Sequence, residues 1–243
     1  MSRAPSVSDR ALLHRHRRAL AWAGLLLLAG VLASAAVGRH PAELAPLTTI
    51  PAIGETDQAA YDAAVQIRVT PLTWLALTLS VLGGGLVTIP LRVVALGYLA
   101  LKRRWLHLTA FAVTWVIAEA LIHSLKAWFH RGRPPQPLVE TLGFSFPSGH
   151  ATGVSATTVA VVLAFVAAGD RRRRWEWLAV GYSFVMSISR VYLGAHWLSD
   201  VVVGTLLGSG IAIAVAAIVT EVRDLWFTAE HRPIPDEQTD IES

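Results

Sequence analysis

Cysteine is absent from the 243-residue chain. That excludes disulfide staples, thiol catalysis and cysteine-based zinc sites, and says nothing about compartment. Charge is scarce too: Asp, Glu, Lys and Arg make up 16% of the residues against 53% hydrophobic ones, a balance rarely met in a soluble domain. The carboxylates are scattered, so the sequence offers no obvious metal site, and an anion handled by this chain must be met by lysine and arginine. The net charge of +4 is no argument for nucleic acid, because the arginines gather at the ends of apolar runs. No second composition regime is present. The chain reads as one helical membrane domain with short polar tails.

The apolar runs set the organisation. Residues 1–18, with Arg3, Arg10, Arg15, Arg17 and Arg18, form a polar tail. Ala19–Val37 follows; despite a signal-peptide look ending in Ala33-Ser34-Ala35, it is long enough to cross and is read as an uncleaved first span. Residues 39–70 hold Pro41, Pro46, Pro51 and Gly54, and are expected to form an extramembrane loop with a short amphipathic helix around Asp57–Val69. Pro71–Leu82 reads as an interfacial helix leading into the Gly83-Gly84-Gly85 break. Leu86–Leu101, Trp105–Leu125, Ala151–Ala168, Trp175–Ile188 and Val201–Thr220 complete six expected spans, within a membrane domain over 19–222. The acidic tail from 223 to 243 is expected to be cytoplasmic. The expected fold is therefore an all-α, six-transmembrane helical bundle.

Positive charge sets its orientation. With the N-terminus inside, Lys102–Arg104, Arg171–Arg174, Arg223 and Arg232 are cytoplasmic. Lys126, Arg131, Arg133 and Arg190 then fall outside together with the loop 126–150. Three clusters share that extracytoplasmic end: Lys126 with Arg133-Pro134, then Pro147-Ser148-Gly149-His150, then Ser189-Arg190 with His196 and Asp200.

Each cluster has an ordinary explanation alone, such as cations snorkelling beside headgroups or a His–Asp hydrogen bond capping a helix. Together they suit phosphate chemistry. His196 and Asp200 are four apart, so on a helix they share one face. The carboxylate can then hold Nδ1–H and leave Nε2 with an exposed lone pair, as a nucleophile or base requires. Gly194 lets the chain turn and bring Arg190 over the same spot. Pro147-Ser148-Gly149 turns into a helix whose N-terminus favours an anion. Lys126, Arg133 and Arg190 can neutralise a phosphate and the added charge of its transition state.

Lys126-x6-Arg133-Pro134, Pro147-Ser148-Gly149-His150 and Ser189-Arg190-x5-His196-x3-Asp200 resemble the tripartite signature of the type 2 phosphatidic acid phosphatase and vanadium haloperoxidase superfamily. The expected spans resemble its membrane lipid phosphate phosphatase branch. The resemblance covers Lys126–Asp200, with every signature position filled. It implies His196 as nucleophile through a phosphohistidine, Asp200 orienting it, and His150 as proton donor and then base. Lys126, Arg133, Arg190, the Ser148 hydroxyl and the Gly149 N–H would bind the phosphoryl oxygens. It implies a metal-independent hydrolase needing no cofactor, acting on a lipid phosphate such as phosphatidate, phosphatidylglycerophosphate or undecaprenyl diphosphate, with the bilayer as its other partner. Competing readings are a transporter or flippase that only recognises phosphate, and the same chemistry on a soluble ester. A separate His150 and a His196–Asp200 pair speak against binding alone.

Outside the signature, Arg92 lies within an expected span and calls for a partner; Glu119 is the candidate. Glu119, His123 and Lys126 recur at helical spacing, which places His123 as a supporting residue near the site. Gly204-x3-Gly208 gives the last span a small face, expected to pack within the bundle.

Overall fold

The computed structural model describes residues 7–37 and 50–230. Those residues form eight helices: α1 (Val7–Val37), α2 (Pro51–Gln66), α3 (Thr70–Gly83), α4 (Gly85–Leu101), α5 (Trp105–Phe129), α6 (Gly149–Phe165), α7 (Asp170–Tyr192) and α8 (Leu198–Glu230). The architecture is all-α, as expected. The expectations for residues 1–6, 38–49 and 231–243 lie outside the described residues.

Two boundaries differ from the sequence reading. Helix α1 runs Val7–Val37, so residues 7–18 of the segment read as a polar tail are already helical. The helix expected at Asp57–Val69 instead runs from Pro51 to Gln66. Proline at the first helical position has the right φ and lacks an N–H that would be unsatisfied there anyway, so the helix starts early. Asp57, Tyr61 and Ala64 form its buried face.

By length and composition, four stretches can cross a bilayer: Arg18–Val37, Thr70–Leu101, Trp105–Phe129 and Leu198–Leu225. Helix α6 is apolar but shorter, and α7 opens on Asp170 and four arginines. The chain is an integral membrane protein by these helices, although the count of six expected spans does not follow from length and apolarity alone.

Helix α6 is the centre of the bundle. Ala151 to Thr157 are buried without interruption, with α5, α7 and α8 packed around them. Helix α8 approaches α6 closely because Gly204 and Gly208 carry no side chain. A methyl at Gly204 would come within 2.8 Å of Thr152 Oγ1 and 3.0 Å of the Ser148 carbonyl. The small face is thus used inside the bundle. Helix α1 covers the opposite side of α8, with Gly30 against Leu207 and Gly210 against Leu27.

Helices α3 and α4 flank the site from the other direction. Helix α3 passes the end of α7, where Thr73 Oγ1 lies 3.0 Å from the Tyr192 hydroxyl and Gly83 sits against Met186. Gly84 then breaks the helix, and α4 follows α6 down to the cluster of Leu99, Phe111, Ala160 and Ala164. On this path Arg92 meets its partner: Nη1 donates to Glu119 Oε1 at 2.7 Å. Its Nε and Nη2 reach Thr157 Oγ1 and the Gly153 carbonyl. His123, in contrast, is exposed; one helical position separates it from the buried Ile122.

Candidate active site

The site lies where the last turns of α5 and α7 meet the first turns of α6 and α8. Each signature residue is placed by a local break in a helix. Helix α5 stops at His130, whose left-handed φ of 50° turns the chain out of the helix. Lys126, in its last turn, donates from Nζ to the Phe144 carbonyl at 2.5 Å. The returning loop wraps Arg133 in its own carbonyls. Nε donates to Gly143 O, and Nη2 to Leu142 O and Phe144 O, at 2.8–3.1 Å. Nη1 is turned the other way: it donates to Ala195 O at 2.7 Å and lies 3.4 Å from His196 Nε2. Arg133 is therefore locked on its back side and faces the histidine with its front.

Ser148 opens α6 as its N-cap, accepting the Ala151 N–H, and is fully buried. Its own N–H donates to the Asp200 carbonyl at 3.1 Å. That bond ties the start of α6 to the start of α8. Gly149 and His150 follow in the first turn. His150 lies within electrostatic reach of Arg190, Arg133 and Lys126, and its Nε2 would sit 3.4 Å from a methyl placed at Gly84. Arg190, in the last turn of α7, donates to the Ser80 hydroxyl of α3.

After α7, Gly194 has φ +65°, and any side chain there would strike the Arg68 guanidinium. The Ala195 and His196 N–H groups close back onto the Arg190 carbonyl. This turn leaves His196 just before α8 and Asp200 in its first turn, so the two do not share one helix as the spacing suggested. They still meet: Nδ1 is 3.5 Å from Asp200 Oδ2. The other end of the imidazole faces Arg133. Asp200 Oδ2 also accepts the Trp197 N–H at 3.0 Å, satisfying a helix-start donor.

His196 is 4% exposed. Burial pushes its pKa down to about 3, with Arg133 and Lys126 acting the same way and Asp200 opposing. At neutral pH its lone pair is therefore free. Arg133 is lowered from the usual guanidinium value by burial yet stays charged.

The structure thus brings together Lys126, Arg133, Ser148, Gly149, His150, Arg190, His196 and Asp200. The sequence reading missed what stands behind them. Arg131 had counted only as an external cation, and Asp57 only as part of an amphipathic helix. Both are 1% exposed and bonded to each other. Ser80 and Gly84, beside Arg190 and His150, were also missed. No local pattern announces such partners, which meet only across 74 residues in the case of Asp57 and Arg131. Among the described residues no three His, Cys, Asp or Glu side chains converge as a metal site.

Comparison with known proteins agrees with this geometry. The family model described as PAP2 superfamily matches residues 107–224. The chain is 32% identical over 168 residues to phosphatidylglycerophosphatase B of Bacillus subtilis, covering 65% of this chain and 80% of that protein. It is 34% identical over 153 residues to the undecaprenyl-diphosphatase of Sulfolobus acidocaldarius, covering 60% and 69%. The crystal structure of a transmembrane PAP2-type phosphatidylglycerolphosphate phosphatase from Bacillus subtilis superposes with a TM-score of 0.69 at 27% identity, over 82% of this chain and 96% of that one. With the three clusters at one end of the bundle and relatives matched over most of their length, the chain belongs to the PAP2 superfamily.

Proposed function

We propose that this membrane lipid phosphate phosphatase works through a phosphohistidine on His196, at the extracytoplasmic end of a six-span bundle whose termini are cytoplasmic. The observation that carries the reading is the two-sided environment of one imidazole. Asp200 lies on the Nδ1 side, and Arg133 stands 3.4 Å from Nε2 on the other. The carboxylate favours the tautomer that leaves Nε2 unprotonated, and Arg133 marks where a phosphoryl oxygen sits beside it.

In the first step Nε2 attacks phosphorus in line and the N–P bond forms. The P–O bond to the lipid breaks, and His150, whose pKa burial and Arg190 push down to about 4, gives the leaving oxygen a proton it takes up as the anionic phosphate enters beside it. In the second step His150 takes a proton from water, the oxygen attacks phosphorus, and the N–P bond breaks to release inorganic phosphate. Lys126, Arg133 and Arg190, with the Ser148 hydroxyl and the Gly149 N–H, neutralise the phosphoryl oxygens. Three fixed cations in a partly buried site do the work a metal would otherwise do. Lipid monophosphates and diphosphates of the kind named for the relatives, phosphatidylglycerophosphate and undecaprenyl diphosphate, are the substrate class, with phosphatidate a third candidate. The apolar flanks of the bundle leave room for the tail in the bilayer.

Phosphate release from purified protein in detergent, over a panel of these lipids and soluble esters, tests the substrate class. Exclusive activity on soluble esters would overturn it. Burst kinetics with p-nitrophenyl phosphate test the roles of the histidines. His196→Ala gives no burst and no phosphoenzyme. His150→Ala still forms one, because nitrophenolate needs little protonation, and then turns it over slowly. On a lipid, whose alkoxide is a poor leaving group, His150→Ala loses roughly 10²–10⁴-fold, the usual worth of general acid catalysis. A burst in His196→Ala but none in His150→Ala would reverse the assignment.

A further inference from the structure

The signature ends at Asp200, but the hydrogen-bond chain behind His196 continues. Asp200 Oδ1 accepts from Arg131 Nη1 at 2.6 Å. The same nitrogen reaches Ser199 Oγ at 2.7 Å, and Nη2 donates to Asp57 Oδ2 at 2.7 Å. Asp57 in turn accepts the Ser199 N–H at 2.7 Å and the Ser199 hydroxyl at 2.6 Å. Asp57, Arg131 and Asp200 are all buried, at 1%, 1% and 0% exposed. Arg131 is raised above the ordinary guanidinium value: burial works against its charge, and Asp200 and Asp57 outweigh it. Unlike Arg133, it has no face towards a substrate.

Burying three charges is a costly way to anchor a helix, since apolar residues of similar volume hold as well. Helix α2 already has other anchors: the Tyr61 hydroxyl donates to Pro135 O at 2.7 Å, and its ring packs at a tilt against Trp197. The charges form a chain that ends on the carboxylate beside His196: Asp57 holds Arg131 Nη2, and Arg131 Nη1 holds Asp200 Oδ1. With that oxygen taken by Arg131, the carboxylate has one oxygen, Oδ2, left to face His196. The imidazole alone does not hold it there, because the Nδ1 contact is 3.5 Å, long for a hydrogen bond; the Trp197 N–H holds Oδ2 at 3.0 Å and Arg131 holds the other oxygen. The charges also alternate, so the buried set of Asp57, Arg131 and Asp200 carries one net negative charge. That charge is offset when His196 becomes cationic on accepting the phosphoryl group.

We propose that Arg131 and Asp57 are positioning residues for phosphoryl transfer. Arg131 fixes Asp200 through Oδ1 so that Oδ2, which also accepts the Trp197 N–H, supports His196, and Asp57 fixes Arg131 while joining α2 to the start of α8. Asp57 lies outside the segment matched by the family model, so α2 completes the nucleophile's support from beyond the signature. The proposal rests on His196 being the nucleophile.

Stopped-flow bursts with p-nitrophenyl phosphate test it on full-length protein in detergent, with folded enzyme counted by gel filtration. Arg131→Met lowers the burst rate constant about 10–100-fold, by analogy with the loss of hydrogen-bond partners behind metal-ligating histidines, with KM little changed. Arg131→Lys restores part of the rate, since one cation remains but not the fork. Asp57→Asn keeps the shape and an acceptor for the Ser199 N–H, and slows the burst by about tenfold, the lower end of that range; it carries the comparison if Arg131→Met does not fold. The groups facing His196 are Asp200, Arg133 and Lys126, and these stay the same in every variant. Without Arg131 the Asp200 charge is unshared and favours a protonated imidazole, so the acid limb of the burst rate moves up in pH. A role confined to anchoring α2 lowers the yield of folded protein and leaves the rate constant and acid limb unchanged. Unchanged values in folded Asp57→Asn and Arg131→Lys overturn the proposal while leaving His196 as nucleophile. A wild-type phosphoenzyme labelled at another residue overturns both.

Discussion

Glu119→Leu should destabilise this protein more than Arg92→Met, although both cut the same ion pair. The reason is the unequal burial of the partners: Arg92 is 4% exposed and Glu119 42%. Removing Glu119 leaves a guanidinium inside the bundle without its counter-charge. Breaking a fully buried pair this way costs ~3–5 kcal/mol. Here Thr157 and Gly153 still accept from Arg92 and Glu119 is half exposed, so about 2–3 kcal/mol is the fitting value. Removing Arg92 is milder. Glu119 can turn to its exposed side, and Thr157 Oγ1 already donates to Gly153 O at 2.6 Å, so neither is orphaned. The lost hydrogen bonds are offset by relief of ~2.5–3.5 kcal/mol for an arginine at membrane depth, leaving a net cost of roughly 1 kcal/mol or less. The double variant Arg92→Met/Glu119→Leu should then approach wild type, with a coupling of about 2 kcal/mol, or some thirtyfold in the unfolding constant. Reversible unfolding by SDS in mixed micelles, followed by the fluorescence of the nine tryptophans, measures all three. Equal losses in the single variants, or additive losses in the double, would refute the burial argument.

Four further outcomes are expected. Single cysteines added to the cysteine-free chain should be labelled by impermeant reagent in intact cells at position 136 and not at position 172; the reverse would invert the orientation. Activity should survive EDTA, and complete loss restored by Mg²⁺ would show that the charge-neutralising groups are misassigned. His196 is held neutral down to about pH 3 when folded but takes a proton near 6.5 when unfolded. The folded state therefore binds fewer protons between those values, and stability falls as pH drops below about 6.5. His196→Asn should flatten that slope in thermal melts, and an unchanged slope would count against the burial of this imidazole. Gly84 has ordinary dihedrals (φ −79°, ψ 166°), so Gly84→Ala should fold. Its methyl would lie 3.1 Å from Ser80 O and 3.4 Å from His150 Nε2, a displacement of a few tenths of an ångström. Lipid turnover should drop several-fold, below the ~10² of a 1 Å misplacement. The p-nitrophenyl burst should be spared; an equal loss there would separate Gly84 from the proton donor.

The all-helical membrane architecture and the catalytic candidates are legible in the sequence for a simple reason. Apolar runs with arginine-rich ends are long-range patterns that lipid imposes on any chain crossing it. The phosphate-handling residues fall in three short motifs whose chemistry requires particular residue types at fixed spacing. Arg92 calls for a partner, because a charge in a span must find another, but the sequence offers Glu119 only as a candidate and the fold makes the pair. What only the tertiary structure decided is how those pieces are held. The early start of α2, the turn that takes His196 off the helix of Asp200, and the exposure of His123 depend on local dihedrals and on the neighbour each residue meets. Asp57, Arg131, Ser80 and Gly84 owe their importance to elements brought together across tens of residues. Asp57 reads as one more acidic residue on a surface helix until α2 packs against the start of α8. A buried charge is defined by its surroundings, and those surroundings are made by the fold.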